Sequence, residues 1–151
     1  MISPDVNVLL YALREDSERH AEYRAWVQAA LNGREPVALF EPILAVVMRV
    51  ATHPGVFRPP TPRAVVEAFI DACLAAPSAV ACRAEPGHWA LFRELCARAD
   101  CRGNLVQDAY LAALAIEHDC VFVTTDRDFS SFPGLRWRHP LDDEHVTENP
   151  R

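Results

Sequence analysis

The chain has 151 residues, half of them apolar, and a formal net charge of −6. That is enough for one domain with a real core. No apolar run is long enough to span a membrane, and the acidic balance argues against a broad basic nucleic-acid surface. The segment from Asp142 to Arg151 carries −3 of that charge, and the rest of the chain carries the remaining −3. All fifteen basic residues are Arg, which excludes any mechanism that needs a lysine.

In chain order, Ile2 to Asp5 reads as a short first strand. Asn7 to Leu13 follows as a helix, with Val8, Leu9 and Ala12 at helical spacing. Ser17 is placed to cap an amphipathic helix over Glu18 to Leu31, which Asn32-Gly33 ends. Val37 to Phe40 is a second strand, and Pro42 suits the first turn of a helix running to Thr52. THPGVFRPP is a loop. Thr61-Pro62 opens a helix to Ala76, and Ala79 to Cys82 is a third strand. A helix over Gly87 to Ala99 carries Trp89, Leu91, Phe92 and Leu95. Asn104 caps an Ala-rich helix to His118. Val121 to Thr124 is a strand, Asp126 to Phe132 a turn or short helix, and Leu135 to Arg138 a last strand. From Leu141 onward the acidic tail is expected to fray.

Alternation of short strands with longer helices predicts an α/β fold, a parallel sheet covered on both faces. The domain is expected over residues 1–140, with the tail over 141–151. The opening MISPDVNVLL has neither a basic n-region nor a cleavage site, so the expectation is a cytoplasmic chain without a signal peptide. Cys73, Cys82, Cys96, Cys101 and Cys120 are odd in number, and no pair has CxxC spacing, so they read as small buried residues. The six histidines show no zinc-type pairing. Trp26, Trp89 and Trp137 read as core rings more than as base-stacking platforms.

The chemistry sits in carboxylates. Asp5 and Asp126 each end an apolar strand, and Asp108 lies one turn into the helix that Asn104 opens. In parallel sheets, sites form outside the carboxyl ends of strands. Acids gathered there raise one another's pKa unless a cation neutralises them, and a hard divalent ion such as magnesium selects carboxylate oxygens. Asp5, Asp108 and Asp126 therefore point to a metal-dependent enzyme acting on a phosphate-containing substrate. Each has a plainer reading. Asp5 suits a helix N-cap, Asp108 a favourable charge near a helix start, and Asp126 an ordinary turn. Asp128 reads as the cap before Phe129, while Thr124, Thr125 and Asn7 are placed to hydrogen-bond the acids. Glu41 also ends a strand, and is equally well explained as a solvated residue at a helix start. Arg49 and Arg127 are candidates to meet a phosphate.

The order of PDVNVLLYA, NLVQDAYLAALAIEH and TTDRDFSSFPGLRW resembles the PIN-domain ribonucleases, specifically the VapC-type toxins of bacterial toxin–antitoxin pairs. The resemblance covers nearly the whole chain. It implies a three-layer α/β/α fold around a mainly parallel sheet of about five short strands. It also implies that Asp5 and Asp108 ligate Mg2+ or Mn2+, with Glu41 and Asp126 completing an acidic pocket that hydrolyses RNA phosphodiesters. A small cognate antitoxin and a homodimer are the implied partners. One departure stands out: the family often carries an acid three residues before an Arg, and relative to Arg49 that place holds Val46. A PIN fold that only binds a partner is one alternative. An aspartate-nucleophile phosphatase is another, but it would want a second Asp where Asn7 stands, and a lysine.

Overall fold

The computed structural model describes residues 1–142 and 146–150. Strand β1 (Ile2–Pro4) leads into α1 (Val6–Leu13) and α2 (His20–Leu31), then β2 (Val37–Phe40), α3 (Glu41–Ala51) and α4 (Arg63–Leu74). After β3 (Ala79–Cys82) come α5 (His88–Arg98), α6 (Asn104–Glu117), β4 (Val121–Val123), a 3-10 turn over Arg127–Ser131, β5 (Arg136–Arg138) and β6 (Thr147–Glu148). The strands form one sheet in the order β3-β2-β1-β4-β5-β6. The first five run parallel, and β6 pairs antiparallel with β5.

The central strands β1, β2 and β4 are short and mostly apolar because they are buried on both faces, whereas β3, β5 and β6 toward the edges are more exposed. Ile2, Ser3, Val37, Ala38, Leu39, Phe40, Phe122 and Val123 are nearly inaccessible. The chain steps outward from β1 to β2 to β3, then crosses back to β4 on the far side of β1. Parallel crossovers are right-handed, so a reversal of direction moves the connecting helices to the other face. The packing agrees: α1 contacts α2 and α3, α3 contacts α4, and α5 pairs with α6, which lies on β4. The core lies between these layers around Phe40, Phe122, Phe129 and Phe132. On α6 the small residues Ala109, Ala112, Ala113 and Ala115 are fully buried, which lets that helix lie close against its neighbours.

Element boundaries follow the sequence reading except at caps. The second helix begins at His20, not beside Ser17, because Arg19 adopts a left-handed conformation (φ 57°) and its guanidinium pairs with Glu22. Gly103, not Asn104, precedes α6, with φ 56° that glycine accepts readily, and Asn104 becomes its first helical residue. The sheet has six strands where about five were expected. The sixth comes from the tail: Thr147 and Glu148 pair with Trp137 and Arg136, and Asn149 is buried. The frayed tail is therefore corrected for residues 147–149. Asp143, Glu144, His145 and Arg151 lie outside the described residues. The cysteines are free, with Cys73, Cys82 and Cys120 buried and Cys96 and Cys101 partly so. Trp89 departs from the expected core role and stands 64% exposed on α5.

Candidate active site

The reversal of strand order leaves a crevice between the carboxyl ends of β1 and β4, where open α/β sheets bind ligands. Asp5 follows β1, and Asp126 follows β4. Asp108 enters from α6. These three carboxylates line one cleft of about 310 Å³ together with Asn7, Val46, Arg49, Asn104, Gln107 and Phe129.

Asp5 is both cap and site residue. It is the N-cap of α1, with Oδ1 accepting from the Val6 N–H at 2.6 Å. Its Oδ2 accepts from the Thr124 hydroxyl at 2.7 Å. Thr124 Oγ1 in turn accepts from the Asp126 N–H at 3.0 Å, and Asp126 Oδ1 accepts from the Asp128 N–H at 2.9 Å. One continuous chain of hydrogen bonds thus joins the ends of β1 and β4 and fixes two carboxylates relative to each other. The cap of the 3-10 turn is Asp126; Asp128, expected in that role, is an exposed residue inside the turn.

Burial dominates the electrostatics. Asp5 is 4% exposed. Its carboxyl is pushed up from 3.8 to about 6 by desolvation, against the lowering effect of its bonds to Thr124 and Val6, with a small further push from Asp126. The Asp108 carboxyl is also raised to about 6, first by desolvation and then by the charges of Asp126, Asp5 and Asp128. Mutual repulsion of this kind marks a site that gains from a positive charge.

The donor set fits a hard divalent cation, since every acid offers only oxygen. Among the described residues no three His, Cys, Asp or Glu side chains close into a ready-made cage. Magnesium does not require one, because it keeps several waters and takes few carboxylates.

Two sequence candidates lie elsewhere. Glu41 does not line the cleft; it is exposed at the end of β2, where Oε1 accepts from Arg83 at 2.9 Å. Arg127 is exposed and outside the cleft, whereas Arg49 lines it. Val46 stands on the cleft wall, so α3 presents an apolar side chain there instead of an acid. Gln107 and Asn104 join the site without having been expected in it. Their signal is the helical spacing to Asp108, with 104, 107, 108 and 111 sharing a face of α6.

A doubly wound sheet with carboxylates at its switch point defines the class. The PIN domain model matches residues 2–135, and the chain belongs to the PIN-domain family. Within that family its relatives carry the VapC name. It is 44% identical over 142 residues to Ribonuclease VapC43 of Mycobacterium tuberculosis, covering 94% of this chain and 97% of the relative. It is 39% identical over 136 residues to Ribonuclease VapC31 of the same species, covering 90% and 96%. Solved structures share the fold at lower identity. VapC20 of Mycobacterium tuberculosis, described as a sarcin-ricin loop cleaving toxin, matches with a TM-score of 0.64 at 15% identity over 87% of this chain and 94% of that one. FitAB bound to a DNA fragment matches with a TM-score of 0.69 at 21% identity over 96% and 99%. VapBC2 from Rickettsia felis, bound to a fragment of promoter DNA, matches at 0.68 and 17% over 92% and 98%.

Proposed function

We propose that the chain is a divalent-metal-dependent endoribonuclease, the toxin of a toxin–antitoxin pair, that hydrolyses RNA phosphodiesters. The observation that carries this reading is the meeting of Asp5, Asp108 and Asp126 at the β1/β4 switch point. The VapC ribonuclease names of relatives over nearly the whole chain support it.

Asp5, Asp108 and Asp126 are the residues that would hold Mg2+ or Mn2+, which when bound supplies Lewis acidity toward a phosphate and activates water. The rest is the chain's own work. Thr124 holds Asp5 in one orientation, so that carboxylate does not have to be ordered when substrate arrives. In the metal-free cleft, burial raises the Asp5 and Asp108 carboxyls to about 6, and a bound cation would relieve that cost by holding both ionised. Arg49, exposed on the cleft wall, is placed to meet a phosphate of the RNA. Arg127, close to Asp126 in sequence, extends that contact if the strand passes over the turn.

The partners follow from the same reading. A cognate antitoxin inhibits at the acidic cleft, the toxin functions as a homodimer, and the complex resides in the cytoplasm. Two of the fold neighbours, VapBC2 and FitAB, were solved bound to DNA fragments. Among the described residues no helix is long and apolar enough to cross a membrane.

The deciding experiment is cleavage of cellular RNA by purified, antitoxin-free protein. Activity restored by magnesium or manganese and abolished by chelator is the expected result. Cleavage that persists in excess chelator would overturn the metal mechanism. No cleavage with either metal would favour a PIN fold that only binds its partner.

A further inference from the structure

The described chain ends around a buried amide. Asn149 is 5% exposed, and all of its polar groups are partnered. Its backbone N–H donates to the Leu135 carbonyl at 3.0 Å, and its own carbonyl accepts from the Gly134 N–H at 3.2 Å. Side-chain Oδ1 accepts from the Trp137 indole N–H at 3.1 Å. Nδ2 donates to the carbonyls of Phe129 at 2.9 Å and Phe132 at 2.8 Å.

Those two carbonyls lie at the C-terminal end of the 3-10 turn over Arg127–Ser131 and at its cap, Phe132. Each accepts one long backbone bond, Phe129 from the Phe132 N–H and Phe132 from the Leu135 N–H, both at 3.3 Å, and the amide adds a shorter second donor to each. Asp126 caps the other end of the same turn. A 3-10 segment this short has few hydrogen bonds of its own and poor geometry in those it has. Its placement depends on what grips its ends and on its buried rings. At the front, Asp126 is tied to Thr124 and thence to Asp5. At the back the grip is Asn149, with the rings of Phe129 and Phe132 packed between. Phe129 also lines the cleft. Strand β6 delivers the amide, by pairing Thr147 with Trp137 and Glu148 with Arg136. The family model's match ends at residue 135, so β6 and Asn149 lie beyond it while the turn they grip lies within.

We infer that Asn149 is a positioning residue for Asp126: the tail returns as a strand to insert an amide that clamps the turn carrying the cleft's third carboxylate. Asparagine suits the place because two donors and one acceptor leave a single side-chain group. An Asp there would set a carboxylate against two carbonyl oxygens. The inference rests on the nuclease reading only where turnover is concerned.

The test measures backbone amide exchange, RNA-cleavage kinetics and thermal unfolding on the full chain and three variants. In Asn149→Ala, exchange should rise by roughly tenfold or more across residues 126–132 while α6 and β4 amides keep their protection. Turnover should fall on the order of 10- to 100-fold with KM for RNA little changed, as displacement of a catalytic group by about 1 Å produces. Glu148→Ala, exposed on the same strand, should change neither. Trp137→Phe removes the indole donor together with part of the ring, keeps an aromatic side chain there, and should loosen the same residues to a smaller extent; it decides the matter if Asn149→Ala does not fold. Unchanged exchange at 126–132 overturns the clamp. So does exchange that rises equally throughout the chain with activity tracking the folded fraction, or a loosened turn with full turnover. If the parent chain cleaves no RNA, the nuclease reading fails, and the exchange contrast alone decides whether Asn149 places the turn.

Discussion

Replacing Asp108 by Asn should make the metal-free protein more stable while abolishing its activity. The carboxyl is raised from its ordinary value of 3.8 to about 6 by burial and by the neighbouring acids. A shift of about two pKa units corresponds to roughly 3 kcal/mol before screening. Asp108 is only half-buried, so solvent reduces this to about 1–2 kcal/mol. Because the folded state holds its proton more tightly than the unfolded chain, stability falls as pH rises from about 4 to 6, and the whole penalty is present above 6. Asn carries no charge, keeps the shape and escapes the penalty. Urea unfolding in chelator at pH 7.5 should therefore show Asp108→Asn ahead of the parent. The melting temperature should rise by about 2–4 °C per kcal/mol at this chain length. Near pH 4 the advantage should largely vanish, since the parent carboxyl is then protonated in the folded state. Asp5 is raised into the same range and is one of the charges that push Asp108 up, so the measured midpoint belongs to the pair. A variant that is less stable at pH 7.5, or whose advantage does not change with pH, would show that Asp108 is a structural helix charge and refute the electrostatic account.

Other outcomes rest on the same geometry. Glu41→Gln should leave turnover unchanged, because Glu41 faces Arg83 and not the cleft; a large loss in a steady-state assay would return it to the site. Arg49→Ala should weaken RNA binding and lower the salt dependence of log K by about one phosphate contact, read from a salt titration. Adding Mn2+ to the apo protein should raise its melting temperature by mass action, and Asp126→Asn should blunt that rise. If the antitoxin inhibits through an Arg forked onto the carboxylates, raising magnesium should weaken inhibition by its tail; full inhibition indifferent to metal would point to blocking by shape.

The elements were legible because their signals are local. Four-residue apolar runs at Val37–Phe40 and Ala79–Cys82 are strands with the boundaries the sequence predicts, and the Ala-rich helix from Asn104 ends within a residue of its expected stop. What misled was the tail. Its acids and lack of apolar periodicity read as solvated chain, yet Thr147–Glu148 pair with β5, and one polar residue, Asn149, supplies the burial. A buried Asn is held by partners distant in sequence, here Phe129, Phe132, Leu135 and Trp137, and no local pattern announces it.

The site divides the same way. Asp5, Asp108 and Asp126 were readable as acids at strand ends and a helix start, and they do line one cleft. Glu41 met the strand-end criterion equally well and lies outside. The difference is strand order, which no short motif encodes. A strand-end acid reaches a ligand only if its strand borders the reversal, and here β1 and β4 do. Strand β2 lies one place outward, beside the edge strand β3, so an acid at its end meets Arg83, the first residue past β3. Helix α3 then carries the chain from Glu41 to the cleft, arriving about a turn and a half later at Val46 and just over two turns later at Arg49. An acid supplied by α3 would have to stand at that depth in the helix. The family's frequent placement of an acid three residues before an Arg satisfies the requirement, and Val46 does not. The apolar wall has a consequence for charge. With one carboxylate fewer facing the crevice, Asp108 is repelled chiefly by Asp126, Asp5 and Asp128. An acid introduced by Val46→Glu should push both the Asp5 and the Asp108 carboxyls further up and lower the stability of the apo protein at neutral pH.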